Sequence, residues 1–303
     1  MKNILRPLQT QLRVLAVSLA SLTVCTTWAQ TLAAPFATDY TITSLGSIAG
    51  LPTPYGGLTL LAGSTDTLLI GGSANTVSGD IYSIGITRDL SGHITGFSGT
   101  ATFFADAPYI DGGLAYGPNG VLFFTGDPVN TLGQLKSGST GPDKTTNLTA
   151  LGVSGSAGSL VFAPNGDLKL LSYSGNAWYT SSITPDGSGT FDIGPAVFNT
   201  TISGGPEGAA YVPTGSAVFA PGSVLIAEWG AGNVSTYETD ANYNPIAGTR
   251  QVFISGLLGA EGAFIDPVTG DFLFSTFGGG NEVIRVSGGF VAPPPPPTTP
   301  GRT

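Results

Sequence analysis

Thiol and imidazole chemistry are nearly missing from this chain. Its 303 residues include one Cys and one His. Cys25 lies in the N-terminal stretch described below, so a chain cleaved after that stretch has no disulfide, no thiol nucleophile and no Cys-ligated metal. His93 sits in the polar turn Ser91-Gly92-His93, where solvation is expected, and any Ser–His–Asp triad would have to use it. Charge is also scarce, with 10 basic and 19 acidic residues giving a net charge of −9. A chain so poor in Lys and Arg is not built for nucleic acid or anionic lipid. A phosphate loop is missing too, because Gly278-Gly279-Gly280 lacks a following Lys-Ser/Thr. After residue 30 no apolar run is long enough to span a bilayer, so no membrane span is expected in the mature chain.

What is abundant is glycine, 46 residues, beside 22 prolines and a 41% hydrophobic fraction. Low charge with that much Val, Ile, Leu and Phe points to an ordered core with many tight turns rather than to disorder. Residues 1–30 read as a signal peptide. Lys2, Arg6 and Arg13 make a basic start, Val14 to Val24 an apolar run, and Thr27-Trp28-Ala29 a small-residue cleavage site, with Leu32-Ala33-Ala34 as a second candidate. Cleavage removes three positive charges and no acid, moving the net charge from −9 to −12. Such an acidic surface weakly favours cations. At the other end, residues 291–303 contain five consecutive prolines and read as an extended, disordered tail.

Between these ends, over residues 36–290, one unit recurs about five times. A Gly-containing entrance leads into an apolar strand, a turn and a second apolar strand. This pattern starts at Tyr55, Asp111, Ala157, Pro206 and Ala260, at spacings of 56, 46, 49 and 54 residues. A Gly followed by a polar residue then opens a third strand, as in Gly79-Asp80, Gly133-Gln134, Gly175-Asn176, Gly232-Asn233 and Gly280-Asn281. A fourth strand follows a polar turn such as Asp89-Leu90-Ser91-Gly92 or Asp186-Gly187-Ser188-Gly189. Four short strands at this period predict an all-β fold, a β-propeller of about five blades. A sixth blade is open if the long first unit, residues 55–110, hides one. A β-sandwich is the competing fold, but it does not explain two signatures recurring in step. The last unit runs out after three strands, and residues 39–47 form an unassigned strand that would complete it and close the ring.

Strand direction alternates within a blade, which sorts the polar residues onto two faces. Strand-one entrances and the loops after strand two share one face. That face collects Tyr55, Asp106, Asp111, Glu207 and Glu261, with Asp127, Tyr173, Glu228, Trp229 and Phe277 from the loops. The opposite face receives turn-formers such as Pro164-Asn165-Gly166 and Pro213-Thr214-Gly215. Glu207 and Glu261 hold the same repeat position in neighbouring blades, where the other units carry Gly56, Gly112 and Gly158. Two carboxylates near the axis repel, which raises a pKa or recruits a hard cation such as Ca²⁺. The alternatives are that each Glu caps backbone N–H groups, or that one does acid–base work. Asp111, Asp127, Tyr173, Glu228 and Trp229 are candidates for the ligand face. Trp229 and Tyr173 beside acids suit a stacked sugar, or equally the packing of blades.

Two segments carry a family likeness: VLIAEWGAGNVSTYETDANYNPI from Val224, and GAEGAFIDPVTGDFLFSTFGGGNEVIRV from Gly259. The region from Pro206 to Phe290 resembles secreted bacterial proteins of the PEP-CTERM type. That resemblance implies export and an association with exopolysaccharide-producing cells, with no assigned activity. The C-terminal sorting signal of that type is absent, since Val291-Ala292 leads into prolines without a Glu or an apolar span. More loosely, the units look like NHL-type and gluconolactonase-type propellers. The latter implies a divalent ion held by an acid at a strand entrance, a place that Glu207 or Glu261 matches. The leading expectation is a secreted, non-catalytic binding or surface-matrix module whose partner is a polysaccharide or another surface protein. A Ca²⁺-dependent hydrolase or lactonase is the alternative.

Overall fold

The computed structural model describes residues 30–293. Most of the expected leader at residues 1–30, and all but the first of the five prolines, lie outside that range. The strands assemble into five sheets of four around an axis. Blade one comprises Leu58–Leu60, Thr67–Gly72, Asp80–Arg88 and Ile94–Asp106. Blade two comprises Ile110–Tyr116, Leu122–Gly126, Thr131–Leu135 and Lys144–Asn147. Blade three comprises Ala157–Phe162, Leu168–Ser172, Ala177–Ser181 and Val197–Thr201. Blade four comprises Pro206–Tyr211, Val224–Glu228, Asn233–Tyr237 and Gln251–Ser255, and Thr31–Leu32 adds a fifth strand at its rim. Blade five comprises Ala260–Ile265, Phe272–Thr276 and Val283–Gly288, completed by Tyr40–Gly46.

The protein is therefore a five-bladed propeller, closed as expected by an N-terminal strand. Tyr40 pairs with Gly288 and the register runs to Gly46 opposite Val283. No sixth blade hides in the first unit. Its length goes into two long strands, and the 13-residue Ile94–Asp106 absorbs the excess through register shifts against Asp80–Arg88. Second strands read as apolar runs rather than alternating because a blade is covered on both faces. Leu68, Leu69 and Ile70 are all fully buried, for example.

Two local expectations change. The turn Asp186-Gly187-Ser188-Gly189 does not precede a fourth strand. It is the tip of an inserted hairpin, Ile183–Pro185 with Phe191–Ile193. That hairpin leans on blade two, where Gln134 exchanges two hydrogen bonds of 2.8 Å with the backbone of Phe191. Nor is His93 simply solvated. Its Nδ1 lies 2.7 Å from Asp271 Oδ2, joining blade one to blade five. Alongside, Arg88 Nη1 donates to Asp266 Oδ2 at 2.6 Å, so the seam where the ring closes is fastened by charge as well as by strands.

Around the axis the innermost strands approach too closely for side chains. A Cβ on Gly208 would stand 2.3 Å from Ala263 N, and one on Gly113 2.8 Å from Leu160 N. Among the described residues no helix is long and apolar enough to cross a membrane.

Candidate functional site

Each blade contributes one residue from the loop after its second strand to a small cavity at the axial mouth of the entrance face. In blades two to five it is the residue directly after strand two: Asp127, Tyr173, Trp229 and Phe277. Blade one supplies Asn75 from a longer loop, where the residue adopts φ of +60°. From below, strand-one entrances add Asp111, Glu207 and Glu261. The cavity measures about 190 Å³.

The floor is the acid trio. One carboxylate oxygen from each of Asp111, Glu207 and Glu261 lies within 4.8 Å of the others. All three side chains are buried, at 1–3% exposure. Both oxygens of Asp111, Oε2 of Glu207 and Oε1 of Glu261 have no hydrogen-bond partner, and nor does Oδ1 of Asn75. Glu207 and Glu261 thus leave a buried oxygen each unoccupied rather than spending it on a backbone cap. Asn75 uses its other atom, Nδ2, to reach Asp127 Oδ2 at 3.4 Å.

Electrostatics follow from burial. Loss of solvent, helped by the charge of Asp127, pushes the Asp111 carboxyl up to about 8. Glu261 lies close enough to Asp111 to share a proton and so to hold that rise back, although no oxygen of Asp111 has a partner of good hydrogen-bond geometry. Burial, then Asp111 and Asp127, holds Glu207 well above the usual carboxylate range. Burial, then Glu207 and Asp111, does the same for Glu261. Burial thus favours the neutral form of each of the three acids, and a cation beside them would favour the ionised form.

Room for the trio is cut by glycine. A Cβ on Gly158 would stand 2.2 Å from Glu207 Oε2, and one on Gly112 3.0 Å from the same atom. This is why two of the positions equivalent to Glu207 hold glycine: their missing side chains are the space its carboxylate fills.

Asp111 joins the floor through a shift that the repeat alignment hides. In blades four and five, two residues bulge between ladder positions, Glu207-Gly208 between Pro206 and Ala209, and Glu261-Gly262 between Ala260 and Ala263. In blade two three residues bulge, Asp111 to Gly113, between Ile110 and Leu114. The extra residue brings Asp111 level with the glutamates of the other blades. Asn75 was missed because its loop is longer than its counterparts. The signal for it was side-chain type, as the one carboxamide in the loop after strand two of blade one.

The wall on the other side is aromatic. Trp229 meets Tyr173 edge-on at 5.7 Å and 90°, and Phe277 at 6.4 Å and 74°. Trp229 is the most open of the three, at 37% exposure. Glu228, expected on this face, points the other way. It is fully buried inside blade four, held by Arg250 at 2.9 and 2.5 Å, Tyr237 at 2.6 Å and Ser235 at 2.9 Å.

The donor set fits a hard, oxygen-preferring cation. Three buried carboxylates and a spare amide oxygen supply only oxygen ligands, and no Lys or Arg lines the cavity to compete.

No family model matches this chain, and no curated protein matches it by sequence. Solved structures do resemble it. A putative phosphatase from Bacteroides thetaiotaomicron is 11% identical, covering 82% of this chain and 78% of its own, with a TM-score of 0.49. Virginiamycin B lyase from Staphylococcus aureus is 15% identical over 82% of this chain and 99% of its own, at 0.44. A putative gluconolactonase is 13% identical over 88% of this chain and all of its own, at 0.46. These likenesses say nothing about the chemistry of the pocket.

Proposed function

We propose that the protein is an exported binding module whose axial pocket holds a divalent cation, Ca²⁺ by its donor chemistry, and through it a small oxygen-rich ligand such as a sugar unit. The observation that carries this reading is the trio of Asp111, Glu207 and Glu261, buried, mutually close and left with unpartnered oxygens. Uncompensated buried carboxyls cost stability, and a bound cation removes that cost. The ligand's oxygens would complete the cation's shell, and the apolar face of a sugar ring would rest on Trp229 and Tyr173. Export rests on the leader at residues 1–30, and a surface-matrix setting on the PEP-CTERM-type likeness of Pro206 to Phe290.

The test is a calorimetric titration with CaCl₂, with MgCl₂ in parallel. Saturable one-site binding of Ca²⁺ is expected, lost in Asp111→Asn, Glu207→Gln and Glu261→Gln. At one hundred times the dissociation constant, Ca²⁺ should stabilise the fold by about 2.7 kcal/mol. Absence of heat in the parent protein refutes the site.

A second reading, a metal-dependent hydrolase or lactonase, is favoured by one observation. Asp127 lines the cavity outside the acid trio, with Asn75 Nδ2 3.4 Å from its Oδ2, and is placed to exchange a proton with a ligand held there. Hydrolysis of a panel of sugar lactones that requires Ca²⁺ and vanishes in Asp127→Asn would select this reading over simple binding.

A further inference from the structure

A second concavity lies on the opposite face, between blades three and four, and half of its twelve lining residues are tyrosine or proline. About 640 Å³ in volume, it is walled by Tyr211 and Tyr243 and by four prolines, Pro164, Pro213, Pro221 and Pro293. The two tyrosine rings meet edge-on at 5.8 Å and 84°, which sets two aromatic faces nearly at right angles. The groove is rigid. Tyr211 Oη donates to the carbonyl of Tyr243 at 2.7 Å. The loop bearing Tyr243 is pinned to blade three by the fully buried Lys169, whose Nζ donates to Asn242 O at 2.9 Å and Asn244 Oδ1 at 3.1 Å. Apart from Asp240, no charged side chain lines it.

Pro293, one of those four prolines, is also the first of five in a row in the sequence. Val291 leads the chain there, its N–H reaching Ser216 Oγ at 3.3 Å. A proline run adopts the polyproline II helix, with three residues per turn and about 3.1 Å per residue, so five prolines extend about 15 Å. Aromatic-lined grooves bind that helix because its pyrrolidine faces stack on flat rings and little conformational entropy is lost.

We infer that the groove is a polyproline II site, and that its resident occupant is the chain's own proline run beginning at Pro293. This site is separate from the acid pocket and does not depend on its reading.

The test uses the full chain with Pro294→Gly, Pro295→Ser, Pro296→Gly and Pro297→Ser, which keeps length and removes the run. A fluorescein-labelled peptide of sequence PPPPPTTPGRT is titrated by anisotropy. The substituted chain should bind it saturably, and the parent at least ten-fold more weakly, because its groove is filled. Adding Tyr243→Ala to the substituted chain should abolish binding, and Tyr243→Phe should preserve it. Ala241→Trp, at an exposed loop position, blocks the groove without touching the core and guards against a misfolded Tyr243 variant. If the substituted chain does not bind the peptide, the groove is not a proline site. If the parent binds it equally well, the chain's own run is not the occupant.

Discussion

Glu228 and Glu207 lie side by side in blade four, at the paired ends of its first two strands, and both are buried. They could hardly differ more. Glu228 accepts from Arg250, Tyr237 and Ser235 and is fully enclosed by its partners. Glu207 keeps an oxygen without a partner and faces two further acids. A buried carboxylate with a guanidinium beside it belongs to the framework. One with other carboxylates beside it and an oxygen left without a partner is where the proposed cation would sit.

The widest gap should appear in stability. Glu228→Gln leaves Arg250 without its counter-charge, and breaking such a pair costs about 3 kcal/mol. Glu207→Gln, in metal-free buffer, should cost nothing or stabilise slightly, because it relieves repulsion. Urea denaturation of both variants measures the contrast. Equal losses would mean that Glu207 is a structural cap after all.

The response to pH should separate them next. The pKa of Asp111 is raised by burial to about 8, above its value in an unfolded chain. Folding therefore favours its neutral form. That stability is complete below about pH 4 and is lost as pH rises through about 8. Glu207 and Glu261 shift in the same direction for the same reason. Asp271, also raised by burial, adds to the trend, so the comparison is made against Asp111→Asn. Without Ca²⁺ the parent should melt lower at pH 9 than at pH 5, and Asp111→Asn should narrow the difference. Ca²⁺ should raise the melting temperature more at pH 9, where its ligands ionise at less cost. A parent that is equally stable at both values would contradict the burial of uncompensated acids.

Much of this was legible in the residues. Repeat spacing indicated the blades, and the odd strand at 39–47 indicated the closure, because both rest on periodicities that a strand cannot hide. Alternating strand direction indicated the face shared by Asp111, Asp127, Tyr173, Trp229, Glu207 and Glu261. What stayed hidden depended on register or on distant partners. The extra bulge residue that aligns Asp111 with the glutamates is one residue of slip, invisible to a repeat count. Glu228 looked like its neighbours in sequence, and only the fold brings Arg250 to it from 22 residues away. The tip at Asp186–Gly189 has the composition of any polar turn. Its hairpin exists because Gln134 in the preceding blade pairs with Phe191.

The smallest effect, and the sharpest on mechanism, belongs to Gly158. Its φ lies outside the left-handed region, so alanine is not strained by backbone conformation. What alanine meets is the Glu207 carboxylate, with Oε2 at 2.2 Å and Cδ at 2.6 Å from the added methyl. The far end of a flexible side chain yields more readily than backbone, so Gly158→Ala should cost about 1 kcal/mol, the low end for overpacking. Yielding displaces the carboxylate from its present place beside Asp111 and Glu261. If the trio acts as one ligand set, Ca²⁺ affinity should fall about ten-fold, equivalent to about 1.4 kcal/mol, with urea stability nearly unchanged. A variant that folds normally and binds Ca²⁺ as tightly as the parent would show that Glu207 is not a member of the set. The comparison between Glu207 and Glu228 would then turn on missing partners alone.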